Sequence, residues 1–288
     1  MDDETVGIAL VLVSAIGFGT LGIFGVLAAE EGLSIPTVLA LRFGIATVFV
    51  WAVRWLRGRT RVLSGRPLAV ALTLGGVGYA AQSGLYFLGL EFLTAGMVSI
   101  VLYTYPALVV CLVVVANPDR VTTTVVISLA LSLGGVALIT GADPAGVDPR
   151  GVVIVLGAAL AYSLYIIASQ RALATVDAET LTAFVLPSAA ATFVGFGLGT
   201  GTLSTPDGVA AWGIAVGVGV FGTAIPVLSF FAGIAKVGAS RGSIISTAEP
   251  GVTVALGALV LGEPVTAVTV VGGALVVAGV LLVQRESA

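Results

Sequence analysis

The sequence contains no histidine and a single cysteine, Cys111, which lies inside an apolar run. A disulfide framework is therefore excluded, as is any metal site built on Cys/His clusters. Charge is scarce as well: only 9% of the 288 residues are Asp, Glu, Lys or Arg, where a soluble domain carries about 25%. That is too little to cover a soluble surface, and with 58% hydrophobic residues the chain is expected to be a polytopic membrane protein. The acidic start, Met-Asp-Asp-Glu, is unlike the basic head of a signal peptide, so Val6–Ala28 is expected to be a retained first span. Two matches to the dinucleotide fingerprint, Gly17-Phe-Gly19-Thr-Leu-Gly22 and Gly217-Val-Gly219-Val-Phe-Gly222, lie inside uninterrupted apolar spans. The fingerprint needs a strand–turn–helix setting, so close helix packing by small residues is the better reading. Gly195/Gly199 and Gly213/Gly217 are expected to pack in the same way. No cofactor, no ATP drive and no nucleic-acid partner is expected.

What the chain does have is apolar runs of about 20 residues, the length that crosses a bilayer as a helix. Ten are expected: Val6–Ala28, Ile35–Leu56, Pro67–Leu90, Ala95–Val115, Val121–Thr140, Gly151–Ala172, Leu181–Thr200, Val209–Ala235, Gly242–Leu261 and Val265–Val283. Arg54, Arg57, Arg59, Arg61 and Arg66 flank the second loop. If that loop is cytoplasmic, so are both termini, and ten basic residues fall inside against Arg150 outside and Arg42 within a span. This is a strong positive-inside bias, and it places a multi-pass protein in the cell membrane.

The two halves resemble each other. Pro106 and Pro250 lie 144 residues apart, half of 288, and at the same offset Gly7 meets Gly151, Gly89 meets Gly233, and Ser99-Ile100 meets Ser243-Ile244. Residues 1–144 and 145–288 are thus read as two five-helix repeats. Five is odd, so the second copy would run through the membrane inverted. Inverted repeats with proline-interrupted helices at matching positions point to a transporter with a midplane site.

Glu249-Pro250 sits near the centre of the ninth span. A carboxylate at that depth costs roughly 2.5–3.5 kcal/mol or more, so it marks a substrate ligand, a proton-coupling group or a buried structural acceptor. Pro250 leaves the Ser246 carbonyl without its helical donor, and that carbonyl must find another partner. Arg42, near the outer end of its helix, would either snorkel or pair with Glu249. Asp119 and Glu263 read as helix-end caps. Tyr79/Gln82/Tyr86 and Tyr162/Tyr165 are spaced to share helix faces.

Pro36-Thr-Val-Leu-Ala-Leu-Arg42-Phe43, Ala95-Gly-Met-Val-Ser-Ile-Val-Leu-Tyr-Thr-Tyr-Pro106, Ala239–Pro250 and Leu259-Val-Leu-Gly-Glu263 resemble the EamA-type members of the drug/metabolite transporter superfamily. The resemblance covers essentially the whole chain. One departure is Asn117-Pro118-Asp119-Arg120, where the family more often has Gly-Glu. The resemblance implies an all-α fold of ten helices in two inverted repeats, with both termini cytoplasmic. It also implies a central vestibule and export or exchange of a small organic metabolite, often an amino acid. On the presumed cavity helices the candidate substrate-binding residues are Phe18, Arg42, Tyr79, Gln82, Tyr86, Ser99, Tyr103, Tyr162, Tyr165, Phe230, Ser243, Ser246 and Glu249. Pro106 and Pro250 are the helix breaks. Tyrosines near span ends could equally form interfacial belts. Substrate, bilayer and a coupling proton are the candidate partners, and the oligomeric state is open. The competing readings are a membrane-embedded enzyme, a channel, or a transporter of a nucleotide sugar, lipid-linked sugar or organic cation. An enzyme is disfavoured by the lack of His and of paired intramembrane carboxylates.

Overall fold

The computed structural model describes residues 3–59, 61–116, 123–142, 147–237, 242 and 245–286, and among these there is no strand. Six helices are long and apolar enough to cross a membrane: α1 (Asp3–Glu30), α2 (Ile35–Leu56), α3 (Gly65–Gly89), α6 (Pro149–Leu173), α7 (Ala178–Thr200) and α8 (Gly208–Val237). Shorter apolar helices complete the set. They are α4, in two segments Ala95–Leu102 and Tyr105–Ala116, α5 (Thr123–Ala142), α9 (Ala248–Leu261) and α10 (Ala267–Glu286). The protein is an all-helical, multi-pass membrane protein.

Where expected and observed boundaries differ, the cap decides. α7 starts at Ala178 and not at Leu181, because the Asp177 side chain accepts from the Thr180 N–H at 2.8 Å. An N-cap oxygen satisfies one of the orphan amides of the first turn wherever the apolar run happens to begin. Ser34 caps α2, Thr94 caps α4 and Asp148 caps α6 in the same way.

Two kinds of irregularity shape the middle of the bundle. α3 and α8 each contain a π-helical turn, at Leu74–Tyr79 and Val220–Ala224, which inserts an extra residue per turn and re-aims the side chains after it. α4 breaks at Tyr103-Thr104, and α9 follows a turn at Thr247. Positions 103 and 247 differ by 144, the offset of the sequence repeat. Pro106 and Pro250 occupy the first turns after these breaks, where proline's fixed φ suits the start of a helix.

In packing, α5 lies on α10, α2 on α7 and α4 on α9, while α1 packs on α8 and α6 on α3. Glycine allows the close approaches. A methyl group added at Gly17 would strike Pro226, at Gly19 Val252, at Gly217 Phe24 and at Gly219 Ile45. Both fingerprint-like stretches are helix contacts, as expected. Gly195, Gly199 and Gly213 are not, since nothing lies within 4 Å of a methyl group added there. Small residues permit contact only on the face that meets a neighbour, and these three face away.

Candidate functional site

The broken helices α4 and α9, the π turn of α3 and the α8 residues that follow its π turn meet around a central cavity of ≈ 260 Å³. A second lobe of ≈ 70 Å³ continues from it, lined by Arg42, Tyr79, Gln82, Tyr86, Tyr103 and Glu249 among others. All six tyrosines of the chain line one lobe or the other, so none belongs to an interfacial belt. Their rings touch in series: Tyr103–Tyr105 at 5.7 Å, Tyr105–Tyr162 at 4.6 Å, Tyr162–Tyr165 at 6.1 Å and Tyr165–Tyr79 at 5.4 Å. Such a wall presents ring faces for an apolar body and hydroxyls for polar ends.

Arg42 does not snorkel. It is 2% exposed, its Nε donates to Thr223 Oγ1 at 2.9 Å, and its guanidinium lies 4.7 Å from the Phe43 ring centroid and 5.7 Å from that of Phe87. Thr223 belongs to the π turn of α8 and passes its own proton to the Val218 carbonyl. Glu249 accepts from the Tyr103 hydroxyl at 3.1 Å. No ion pair joins Arg42 to Glu249 among the described residues; the two side chains line the same lobe. The Ser246 carbonyl freed by Pro250 has found a donor in the same Tyr103 hydroxyl.

Phe18, Tyr79, Tyr103, Tyr162, Tyr165, Phe230, Ser246 and Glu249 line the central lobe, and Arg42, Gln82 and Tyr86 line the smaller one. Ser99 does not line either. It is 2% exposed within Ala95–Leu102, a segment in which every residue is buried. Ser243 lies outside the described residues, as does Asp119. Glu263 is a cap, but of another helix: its carboxylate accepts from Ala95 N at 2.6 Å and Gly96 N at 3.2 Å at the start of α4. Tyr105 is one of the cavity residues the sequence reading missed, along with Ser14, Ser169 and Phe231. On an unbroken helix residues 103 and 105 point about 200° apart, and only the break at Tyr103-Thr104 turns both inward. The signal was present in Pro106, one residue later.

The cavity extends through Ser169, Leu173, Ala178 and Leu181 toward the end of the bundle that carries the arginine-rich loop. There Glu179 holds Arg54, Arg57 and Arg59, and Arg61 reaches Asp177. Partial burial works against the Asp177 charge. Bonds from the Thr180 N–H and hydroxyl and from its own backbone, with Arg54 nearby, outweigh that, and its carboxyl titrates below the ordinary value. At the opposite end the connections are tied together. Ser34 Oγ donates to the Thr202 carbonyl at 2.7 Å and Ser204 N to Thr37 Oγ1 at 3.0 Å.

Among the described residues, long apolar helices surround an aromatic-walled cavity that runs toward one end of the bundle, the setting a membrane transporter needs. The profile of the EamA-like transporter family matches residues 5–141 and again 149–285, and the chain belongs to that family. A protein of Archaeoglobus fulgidus described as an uncharacterized transporter is 27% identical over 280 residues, covering 97% of each chain. A probable terminal-alkyne amino-acid exporter of Streptantibioticus cattleyicolor is 26% identical over 230 residues, covering 77% of this chain and 75% of that one. One solved crystal structure superposes with a TM-score of 0.70 at 21% identity, covering 99% of this chain and all of the other, which supports the fold.

Proposed function

We propose that this protein is a secondary transporter that moves a small zwitterionic metabolite of amino-acid type by alternating access, as an exporter or exchanger. The observation that carries the reading is that Arg42 and Glu249 both line one lobe with no ion pair between them among the described residues. A buried charge without a counter-charge is costly. A substrate carboxylate on Arg42 and an ammonium on Glu249 would satisfy both at once, with the tyrosine wall around the substrate body. The amino-acid exporter among the relatives agrees with this class.

We further read residues 1–144 and 145–288 as two inverted halves in the cell membrane, with both termini cytoplasmic. The repeated family match, the 144-residue offset of the helix breaks and the pairing of α2, α4 and α5 with α7, α9 and α10 support it. On this orientation the cavity is reached from the cytoplasm, and the Ser34–Thr202 and Thr37–Ser204 ties close the outer side.

The test is counterflow in proteoliposomes loaded with unlabelled amino acid, one labelled amino acid at a time. At least one should exchange. Glu249→Gln and Arg42→Gln should each lower its exchange at least about tenfold, the scale of a lost charge-assisted bond, with folded yield retained. Absence of exchange for every amino acid, or wild-type rates in both variants, would overturn the assignment.

A further inference from the structure

Tyr103 has one hydroxyl proton and two acceptors within reach. The first is the Ser246 carbonyl, exposed as an acceptor because Pro250 has no N–H to offer it. The second is Glu249 Oε2 at 3.1 Å. Tyr103 is itself 4% exposed and stands at the break of α4. A single hydroxyl therefore ties the break of one helix to the break of another. A buried backbone carbonyl must be paired, and so must a buried carboxylate, yet one proton cannot serve both fully.

We propose that Tyr103 is a positioning residue that divides its hydroxyl between the two acceptors, so that the charge on Glu249 sets how firmly the break before α9 is held. The inference rests on the reading of Glu249 as the group that meets a substrate ammonium. A free carboxylate competes well for the hydroxyl, because bonds to ionised acceptors are the stronger ones. Once an ammonium neutralises the carboxylate, the hydroxyl goes to the Ser246 carbonyl and bridges the gap that Pro250 left in the backbone. Binding at the side chain is thus reported to the break before α9. The other titratable groups facing this lobe are Arg42 from α2, Tyr79 and Tyr86 from α3, Tyr105 from α4 and Tyr162 from α6. Tyr103 is the one whose hydroxyl reaches both acceptors.

Two substrate-free measurements on the purified full chain test the sharing. Dicyclohexylcarbodiimide modifies a carboxylic acid in its protonated form, and mass spectrometry reads the adduct on Glu249. Tyr103→Phe removes the donor that favours the ionised form, so labelling at a pH where the wild-type carboxyl is mostly ionised should rise roughly tenfold, the scale of one hydrogen bond to a charged group. Pro250→Ala supplies a backbone N–H to the Ser246 carbonyl and releases the hydroxyl to Glu249, so labelling should fall. A purely structural tyrosine would not move the two variants in opposite directions. Thermal midpoints give the second reading. Tyr103→Phe should lower the midpoint of the wild-type protein and do so much less in the Pro250→Ala background, where the carbonyl has its own donor. Additive midpoints, labelling that shifts the same way in both variants, or unchanged labelling in Pro250→Ala would each overturn the sharing, and the last holds even if Tyr103→Phe fails to fold. Because neither measurement uses a substrate, failure here is distinguishable from failure of the amino-acid reading, which the counterflow experiment judges.

Discussion

Arg42 and Arg54 are on the same helix, both almost fully buried, and their surroundings differ in kind. Arg54 lies 3.6 Å from Glu179, bonds Thr180 Oγ1 and the Arg61 carbonyl, and rests 5.5 Å from the Trp51 ring. Arg42 has a hydroxyl and two ring faces, with no acid in ion-pair range among the described residues. The first environment is that of a structural charge, whereas the second is the one the proposed substrate ligand would need. Glu179→Gln should therefore destabilise the protein by about 3 kcal/mol, because removing one member of a buried pair strands the other. Arg42→Gln should cost no more than about 1 kcal/mol in stability while lowering exchange at least about tenfold. Thermal unfolding in detergent, beside the transport assay, separates the two. If Arg42→Gln proves as destabilising as Glu179→Gln, its role is structural.

At the scale of the helix, glycine marks where two backbones meet. A methyl group at Gly75 would run into the backbone of Val185, whereas one at Gly44 would meet nothing within 4 Å. Gly75→Ala should then push α3 off α7 and cost about 1–3 kcal/mol, as overpacking does. Gly44→Ala should stay within about 0.5 kcal/mol of wild type. The comparison is read from the two unfolding midpoints, and equal effects would mean that the α3–α7 approach does not depend on Gly75. The helix breaks were legible in the sequence as Pro106 and Pro250. The π turns were not, because Leu74–Tyr79 and Val220–Ala224 are apolar stretches whose register is set by their neighbours.

For the molecule as a whole, the charged loop and the open end of the cavity coincide. The orientation is tested in a Cys111→Ser background with Ser64→Cys beside the arginine-rich loop and Glu31→Cys on the α1–α2 connection. Both positions are exposed. An impermeant thiol reagent on intact cells should label Glu31→Cys alone, and labelling of Ser64→Cys from outside would reverse the cytoplasmic assignment. The same experiment decides which solution reaches Glu249, since the cavity runs to the Arg54–Glu179 end.

Composition alone determined the class of this protein. With 9% charge and ten apolar runs, only a bundle that satisfies its backbone internally can exist. The 144-residue offset between matching residues, Glu249 inside an apolar run and the positions of Pro106 and Pro250 were also local facts, readable from residue type and spacing. Which charges touch was not. The lack of an Arg42–Glu249 ion pair among the described residues, the bond from Arg42 to Thr223 and the turn of Tyr105 into the cavity arise because a break and a π turn rotate side chains by amounts that no periodic pattern carries. The double duty of Tyr103 needed two helices, 143 residues apart in sequence from Tyr103 to Ser246, brought side by side. Contacts between helices depend on rotation and approach, and those are fixed only when the helices pack against one another.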